Sequence, residues 1–295
     1  LYIKGIADEK IVKEVHTRLD RIKIDGILES GYVEELIEDS TTSPFPTVIN
    51  TERPDAVAAS LLEGKVAIMI DGTPFVLIVP ALFIQFFQSP EDHYQRHFIA
   101  SLVRILRYFA YGIAMLAPSV FIALTTFHQE MIPTALLISL AAQREGVPFP
   151  AFIEALIMEV TFEVLREAGV RMPRSIGPTM SIVGAFVIGT AAVEAGMITA
   201  TMVIVVSITA ISSFVAPAYD ISTAAIMLRF ILMALAASFG LFGITVGLIA
   251  IVLHLCSLRS FGIPYMSPLA PYNAKDQKDA LVRLTRWKMF TRPDL

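Results

Sequence analysis

Residues 108–127 read Tyr-Phe-Ala-Tyr-Gly-Ile-Ala-Met-Leu-Ala-Pro-Ser-Val-Phe-Ile-Ala-Leu-Thr-Thr-Phe, 20 residues without a charged side chain. A helix rises about 1.5 Å per residue, so such a run spans the roughly 30 Å hydrocarbon core of a bilayer. Runs 175–193, 195–219 and 230–253 pass the same test, charge-free over 19, 25 and 24 residues. A fifth run, 131–142, is 12 residues long with Pro133 near its start, which fits a short span or a re-entrant segment. Between it and the second long run lies an amphipathic stretch, 152–169, carrying Glu154, Glu159, Glu163, Arg166 and Glu167.

Working outward, the 295 residues are 55% hydrophobic and 17% charged, against about 45–50% and 25% in soluble domains. Residues 1–104 hold 26 of the 50 charged side chains, 105–255 hold 14 and 256–295 hold 10, with net charges of −6, −2 and +4. This distribution excludes a purely soluble enzyme and a disordered or fibrous chain. It also offers no broad basic face for nucleic acid. Arg96, Arg104 and Arg107 precede the first span, and Arg259, Lys275, Lys278, Arg283, Arg286 and Lys288 follow the last. Arginine and lysine favour the cytoplasmic side, so both ends are expected there, with the basic tail beside anionic membrane lipid. An even number of crossings follows: four, or six if both ambiguous segments cross. Cys256 has no internal partner and reads as a small buried hydrophobe. The chain opens on Leu1 in a strand-like Leu-Tyr-Ile-Lys-Gly-Ile, so further N-terminal sequence is expected ahead of it.

Residues 1–88 predict a cytosolic α/β domain. A strand over 1–6 precedes a helix capped by Asp8, with Ile11, Val15 and Leu19 on one face. A second helix is expected over 31–39. Pro44 and Pro46 force residues 43–48 to be extended. A helix follows Thr51 and Pro54 to Leu62 and closes at Gly64. Strands are expected over 66–70 and 75–79 around Asp71-Gly72. Ser89-Pro90-Glu91-Asp92 opens an amphipathic linker helix over 89–104. The transmembrane helical domain then covers 105–258 and the basic cytoplasmic tail 259–295, giving an α+β/α membrane protein with four to six spanning helices.

No metal-ligand spacing, nucleophile–base pair or phosphate-binding glycine loop is legible, so no catalytic, cofactor or metal residue is assigned and nothing argues for an enzyme. The polar groups of interest lie at membrane depth, where an ionisable side chain costs about 2.5–3.5 kcal/mol or more unless it faces protein or water. Glu159 and Glu163 lie four apart on one helix face; Glu154 lies about 140° away. They are the candidate ion-pathway residues, lining an oligomeric pore. The alternative is an elbow helix lying in the membrane interface with its acids in water. Arg229, ahead of the final span, reads as a snorkelling anchor. Gly184, Gly189, Gly240, Gly243 and Gly247 are candidate helix-packing positions, since helices in lipid associate where small residues let backbones approach.

Several segments carry a resemblance. They are Tyr2-Ile-Lys-Gly-Ile-Ala-Asp, Ile24-Asp-Gly-Ile-Leu-Glu-Ser-Gly-Tyr, Ser43-Pro-Phe-Pro-Thr, Thr51-Glu-Arg-Pro-Asp, Asp71-Gly-Thr-Pro-Phe-Val-Leu-Ile and Ser89-Pro-Glu-Asp. Phe127-His-Gln-Glu-Met-Ile-Pro-Thr, Arg144-Glu-Gly-Val-Pro-Phe-Pro, Leu165-Arg-Glu-Ala-Gly and Ser260-Phe-Gly-Ile-Pro-Tyr continue the series. Together they resemble the A subunit of GerA-type spore germinant receptors along essentially the whole chain. The resemblance implies a multi-pass protein of the spore inner membrane. Its implied partners are a transporter-like B subunit that senses nutrient and a lipoprotein C subunit. It also implies a homo-oligomeric ring acting as a nutrient-gated cation channel. The alternatives are a non-conducting receptor scaffold that signals to a separate channel, and a related sporulation-stage ion-release membrane protein. A secondary transporter would show inverted repeats with broken helices, and no internal repeat is legible.

Overall fold

The structure, a computed structural model, describes residues 1–171, 189–285, 287, 289 and 292. The chain forms two compact units: Leu1–Phe109 with Ala216–Ala224 and Ile251–Leu295, and Ala110–Val215 with Ala225–Ala250.

In the first unit Asp8 accepts from the Lys10 N–H at 2.8 Å and starts α1 (Glu9–Asp20), which buries Ile11 and Val15. α2 (Ser30–Ile37) buries Val33 and Ile37. Strands β1 (Ile49–Thr51), β2 (Val66–Met69) and β3 (Val76–Val79) form an antiparallel sheet in the order β1-β3-β2, with Ile49 opposite Ile78 and Val66 opposite Val79. The unit is therefore helix plus antiparallel sheet. α3 (Pro54–Leu62) starts on its proline and stops before Gly64, whose φ of +97° is the left-handed value that ends helices. The expected strand over 1–6 does not form. Gly5, at φ +82°, turns the chain away after Leu1 has bonded to Ala67.

The C-terminal segment belongs to this same unit. A small hairpin, β4 (Arg259–Ser260) and β5 (Ile263–Pro264), turns through Phe261 and Gly262. The Ser260 hydroxyl donates to the Thr47 carbonyl (2.7 Å) and accepts from the Ala81 N–H (2.9 Å), and Phe261 joins the core of Val33, Ile37, Val48 and Leu77. A one-turn helix, α4 (Glu91–Tyr94), breaks at Gln95. α5 (His97–Thr126) then runs 30 residues without interruption, so the linker helix read over 89–104 is one turn followed by the start of α5.

The second unit contains α6 (Thr134–Arg144), α7 (Ala151–Arg171), helical residues 189–194, and α8 (Ala200–Ser213). Its core gathers Ile122, Ala151, Ala155, Met202, Val206, Met233 and Ala236. α8 falls short of the run predicted over 195–219. Gly196 at φ +66° and Thr199 as cap delay its start, and it ends ahead of Pro217. Its 14 residues cover about 21 Å. Residues 175–188 of the second predicted span, with Gly184, lie outside the described residues.

The last apolar run, α9 (Tyr219–Ser257), is not a single rod. Gly240 sits at φ +62°, ψ −142°, outside the helical region. A Cβ on Gly243 would lie 2.3 Å from the Leu235 carbonyl oxygen, and one on Gly247 would lie 2.7 Å from Leu232 Cδ2. A continuous helix separates residues 232 and 247 by about 22 Å. The two arms, 219–239 and 241–257, therefore fold back as an antiparallel hairpin seated on glycines. Cys256, expected to be buried, is exposed on the second arm. Among the described residues two helices, α5 and α9, are long and apolar enough to cross a membrane. Of the other runs read as spans, 175–193 lies mostly outside the described residues and 195–219 contains only the 14-residue α8.

The hairpin makes a direct prediction. With Cys256→Ser removing the native thiol, the pair Leu232→Cys and Gly247→Cys forms a disulfide on mild oxidation, read as a mobility shift on non-reducing gels. Separation in a straight helix would forbid it.

Candidate functional site

The middle of α5 contains Pro118. Proline has no N–H, so the carbonyl four residues earlier, Ala114, loses its helical partner. That carbonyl is the one that Arg229 reaches: Arg229 Nε donates to Ala114 O at 2.7 Å. The same guanidinium donates through Nη1 to Glu159 Oε2 on α7. Arg229 is 1% exposed and Glu159 fully buried, so the ion pair is closed to water. Three helices, α5, α7 and the first arm of α9, meet at one guanidinium. Arg229 therefore departs from the snorkelling role expected of it: its charge points inward, because a carboxylate and a freed carbonyl await it there.

The pair is not fully used. Glu159 Oε1 and Arg229 Nη2 are buried with no hydrogen-bond partner among the described residues. Arginine and carboxylate commonly join through two parallel bonds; here one arm of each is idle.

The other candidate acids go elsewhere. Glu154 is 1% exposed, and its Oε2 accepts from the Thr199 N–H (2.9 Å) and hydroxyl (3.0 Å). Arg144 Nη2 stands 3.8 Å from its other oxygen. Thr199 in turn caps α8, so Glu154 fixes the start of that helix. Glu163 pairs with Arg166 at 2.6 Å and is one-fifth exposed, while Glu167 pairs with Arg171 on the exposed side. The stripe thus passes from buried to exposed within two turns. Gly189 packs on Val203, 3.7 Å from where its Cβ would stand, and Gly240, Gly243 and Gly247 shape the hairpin. Sequence reasoning found Glu159 but missed its partner. The signal was Pro118, which announces a free carbonyl in an apolar helix and hence a donor somewhere in the chain.

The first unit holds its own buried charges. Asp92 accepts from Arg107 (2.7 Å) and Arg104 (3.3 Å), and Arg104 also binds the Asp279 carboxylate (2.8 Å) and main-chain carbonyl (2.6 Å). Arg283 donates to the Asp92 and Gln95 carbonyls at 2.7 and 3.0 Å. Elsewhere in this unit burial pushes the Glu34 carboxyl up to about 7, with Asp220, Glu38 and Glu29 adding repulsion. Among the described residues no group of three or more His, Cys, Asp or Glu is placed to hold a metal ion.

The chain matches over residues 1–295 the family described as Bacillus/Clostridium GerA spore germination protein. It is 59% identical over 294 residues to spore germination protein KA of Bacillus subtilis (strain 168), covering 100% of this chain and 54% of that protein. Uncharacterized membrane protein YfkQ of the same organism is 54% identical over 99% of this chain and 57% of its own length. Spore germination protein GerLA of Bacillus cereus is 47% identical, at 100% and 60% coverage. The chain thus spans between about half and three fifths of the length of these relatives. No solved structure shows a significant match to it.

Two measurements check these electrostatics. Arg229→Met should cost about 3–5 kcal/mol in thermal or denaturant unfolding, because it strands a buried carboxylate. Arg229→Met with Glu159→Leu should recover most of that loss; simple addition of the two single effects would contradict the pairing. For Glu34, the folded pKa of about 7 lies above the unfolded value near 4.5. The folded form then binds the extra proton between those values, and stability falls as pH rises through that window. Glu34→Gln should remove this part of the fall, leaving the variant more stable than wild type at pH 8 and not at pH 4.5, as read by melting temperature.

Proposed function

The chain belongs to the Bacillus/Clostridium GerA spore germination family, and we propose that it is the membrane part of a germinant-receptor A subunit, working as an oligomeric, nutrient-gated cation channel. On this reading it lies in the inner membrane of the spore, crosses it several times, and keeps its first unit and C-terminal segment in the cytoplasm. A transporter-like B subunit binds the nutrient and a lipoprotein C subunit completes the receptor.

The buried Glu159–Arg229 pair carries the reading. An ion path through an apolar bundle needs fixed charge at depth, and a closed path needs that charge neutralised. Glu159 supplies the charge and Arg229 the neutralisation, so the pair corresponds to a closed state. Glu163, one turn further and partly exposed, continues the acidic face towards water, and Glu154 secures the neighbouring helix.

The test is nutrient-triggered cation flux from liposomes holding the full-length protein with its B and C partners, each omitted in turn. Flux that requires this subunit, with cation selectivity reduced by Glu163→Gln, is the expected result. A complex that binds nutrient but passes no ions would make this subunit a scaffold signalling to a channel elsewhere.

A further inference from the structure

The two oxygens that Arg229 bonds, a carboxylate and a main-chain carbonyl, are of the kinds that alkali-metal ions take. Hard oxygens bind hard cations. In membrane bundles the oxygens that serve are carboxylates and the main-chain carbonyls released where a helix is interrupted. Here Pro118 releases the Ala114 carbonyl, and Glu159 brings a carboxylate to the same guanidinium. We propose that Glu159 and the Ala114 carbonyl form a binding site for a monovalent metal cation, which Arg229 occupies in this structure as a tethered ion. The inference deepens the ion-conducting reading and rests on it for the site's use in the spore.

Three observations separate this from an ordinary structural ion pair. First, arginine and carboxylate commonly join through two parallel bonds, yet Glu159 Oε1 and Arg229 Nη2 are buried without partners among the described residues. An idle buried carboxylate oxygen is a ligand position that the guanidinium does not fill. Second, a proline inside an apolar helix sacrifices a backbone bond; the carbonyl it frees accepts from the Arg229 guanidinium. Third, Arg229 stands on an arm of α9 that ends at the non-helical Gly240, so the arm that carries the charge is not a rigid continuation of the second arm. Charge balance sets the valence. Withdrawal of Arg229 removes one positive charge from beside one carboxylate, and a single +1 ion restores neutrality. A divalent ion would leave a net positive charge in an apolar interior.

The experiment uses the full-length protein in nanodiscs and melting temperature in potassium chloride against choline chloride at equal ionic strength. Arg229→Gln empties the site. Its melting temperature should rise by about 3–6 °C between 1 and 100 mM potassium and stay flat in choline, whose bulk excludes it. Wild type, with its own cation in place, should not distinguish the salts, nor should Arg229→Gln with Glu159→Gln. Adding Pro118→Ala to Arg229→Gln returns the Ala114 carbonyl to its helix and should raise the potassium needed for half the effect about tenfold. An Arg229→Gln melt equal in both salts would overturn the site, since Glu159 would then be neutralised by a proton alone. Should the variant show no transition in choline, one regained in potassium supports the site. A transition regained only in millimolar guanidinium chloride, or in no salt, overturns it. Potassium-dependent melting without flux in the liposome assay would retain the site and remove the channel reading; flux without potassium-dependent melting would do the reverse.

Discussion

A single hydrogen bond, from Arg229 Nε to the carbonyl that Pro118 leaves free, decides how the apolar unit is put together. An unbonded buried carbonyl costs about 1–3 kcal/mol, and an unpaired buried guanidinium costs more. Each group therefore needs the other, and the guanidinium needs an anion as well. Glu159 on α7 is that anion. Once the three are joined, the rotation of α5, of α7 and of the first arm of α9 about their own axes is fixed, because each must present one chosen residue to the same point. Apolar packing among Ile122, Ala155, Met233 and Ala236 fills the space between. Leucine-like surfaces slide past one another with little preference, whereas a buried charge has one acceptable position.

The first unit uses arginine the same way. Its chain is interrupted between Phe87 and His97 and again after Asp279, and such breaks leave carbonyls without helical partners. Arg107 donates to Phe87 O, Arg283 to Asp92 O and Gln95 O, and Arg104 to Asp279 O and Ala280 O. Asp92 and Asp279 balance the charge. These arginines, which in the sequence read as markers of the cytoplasmic side, have a second occupation as caps for irregular backbone. The positive-inside argument counts charges in loops; it loses force for Arg104 and Arg283, which are buried. The C-terminal segment, read as a basic tail, is held into its unit by this network and by Ser260 and Phe261.

The elements written in local chemistry were legible: the Asp8 cap, the helix that Pro54 opens, the two strands around Asp71-Gly72, and the apolar part of α5. The α9 hairpin was not. Residues 230–253 are apolar throughout, so hydropathy sees one span; the fold-back depends on Gly240 taking a left-handed φ and on Gly243 and Gly247 admitting Leu235 and Leu232. Those glycines were visible as packing positions, but periodicity carries no information about which partner they pack on. Glu159 was legible as a costly acid in an apolar setting. Its pairing was not, because Arg229 lies 70 residues away and nothing local ties the two.

That cost bears on what the apolar unit is for. Replacing a buried ion pair with hydrophobic side chains of similar volume is often neutral or stabilising, so cohesion alone does not require Glu159, Arg229 and Pro118 together. Each is individually unfavourable in an apolar helix: a carboxylate, a guanidinium, and a residue that deletes a backbone bond. A device that must keep a charge silent in one state and expose it in another needs a fixed carboxylate, a removable counter-charge, and an oxygen that no helix bond competes for. The three residues supply one of each.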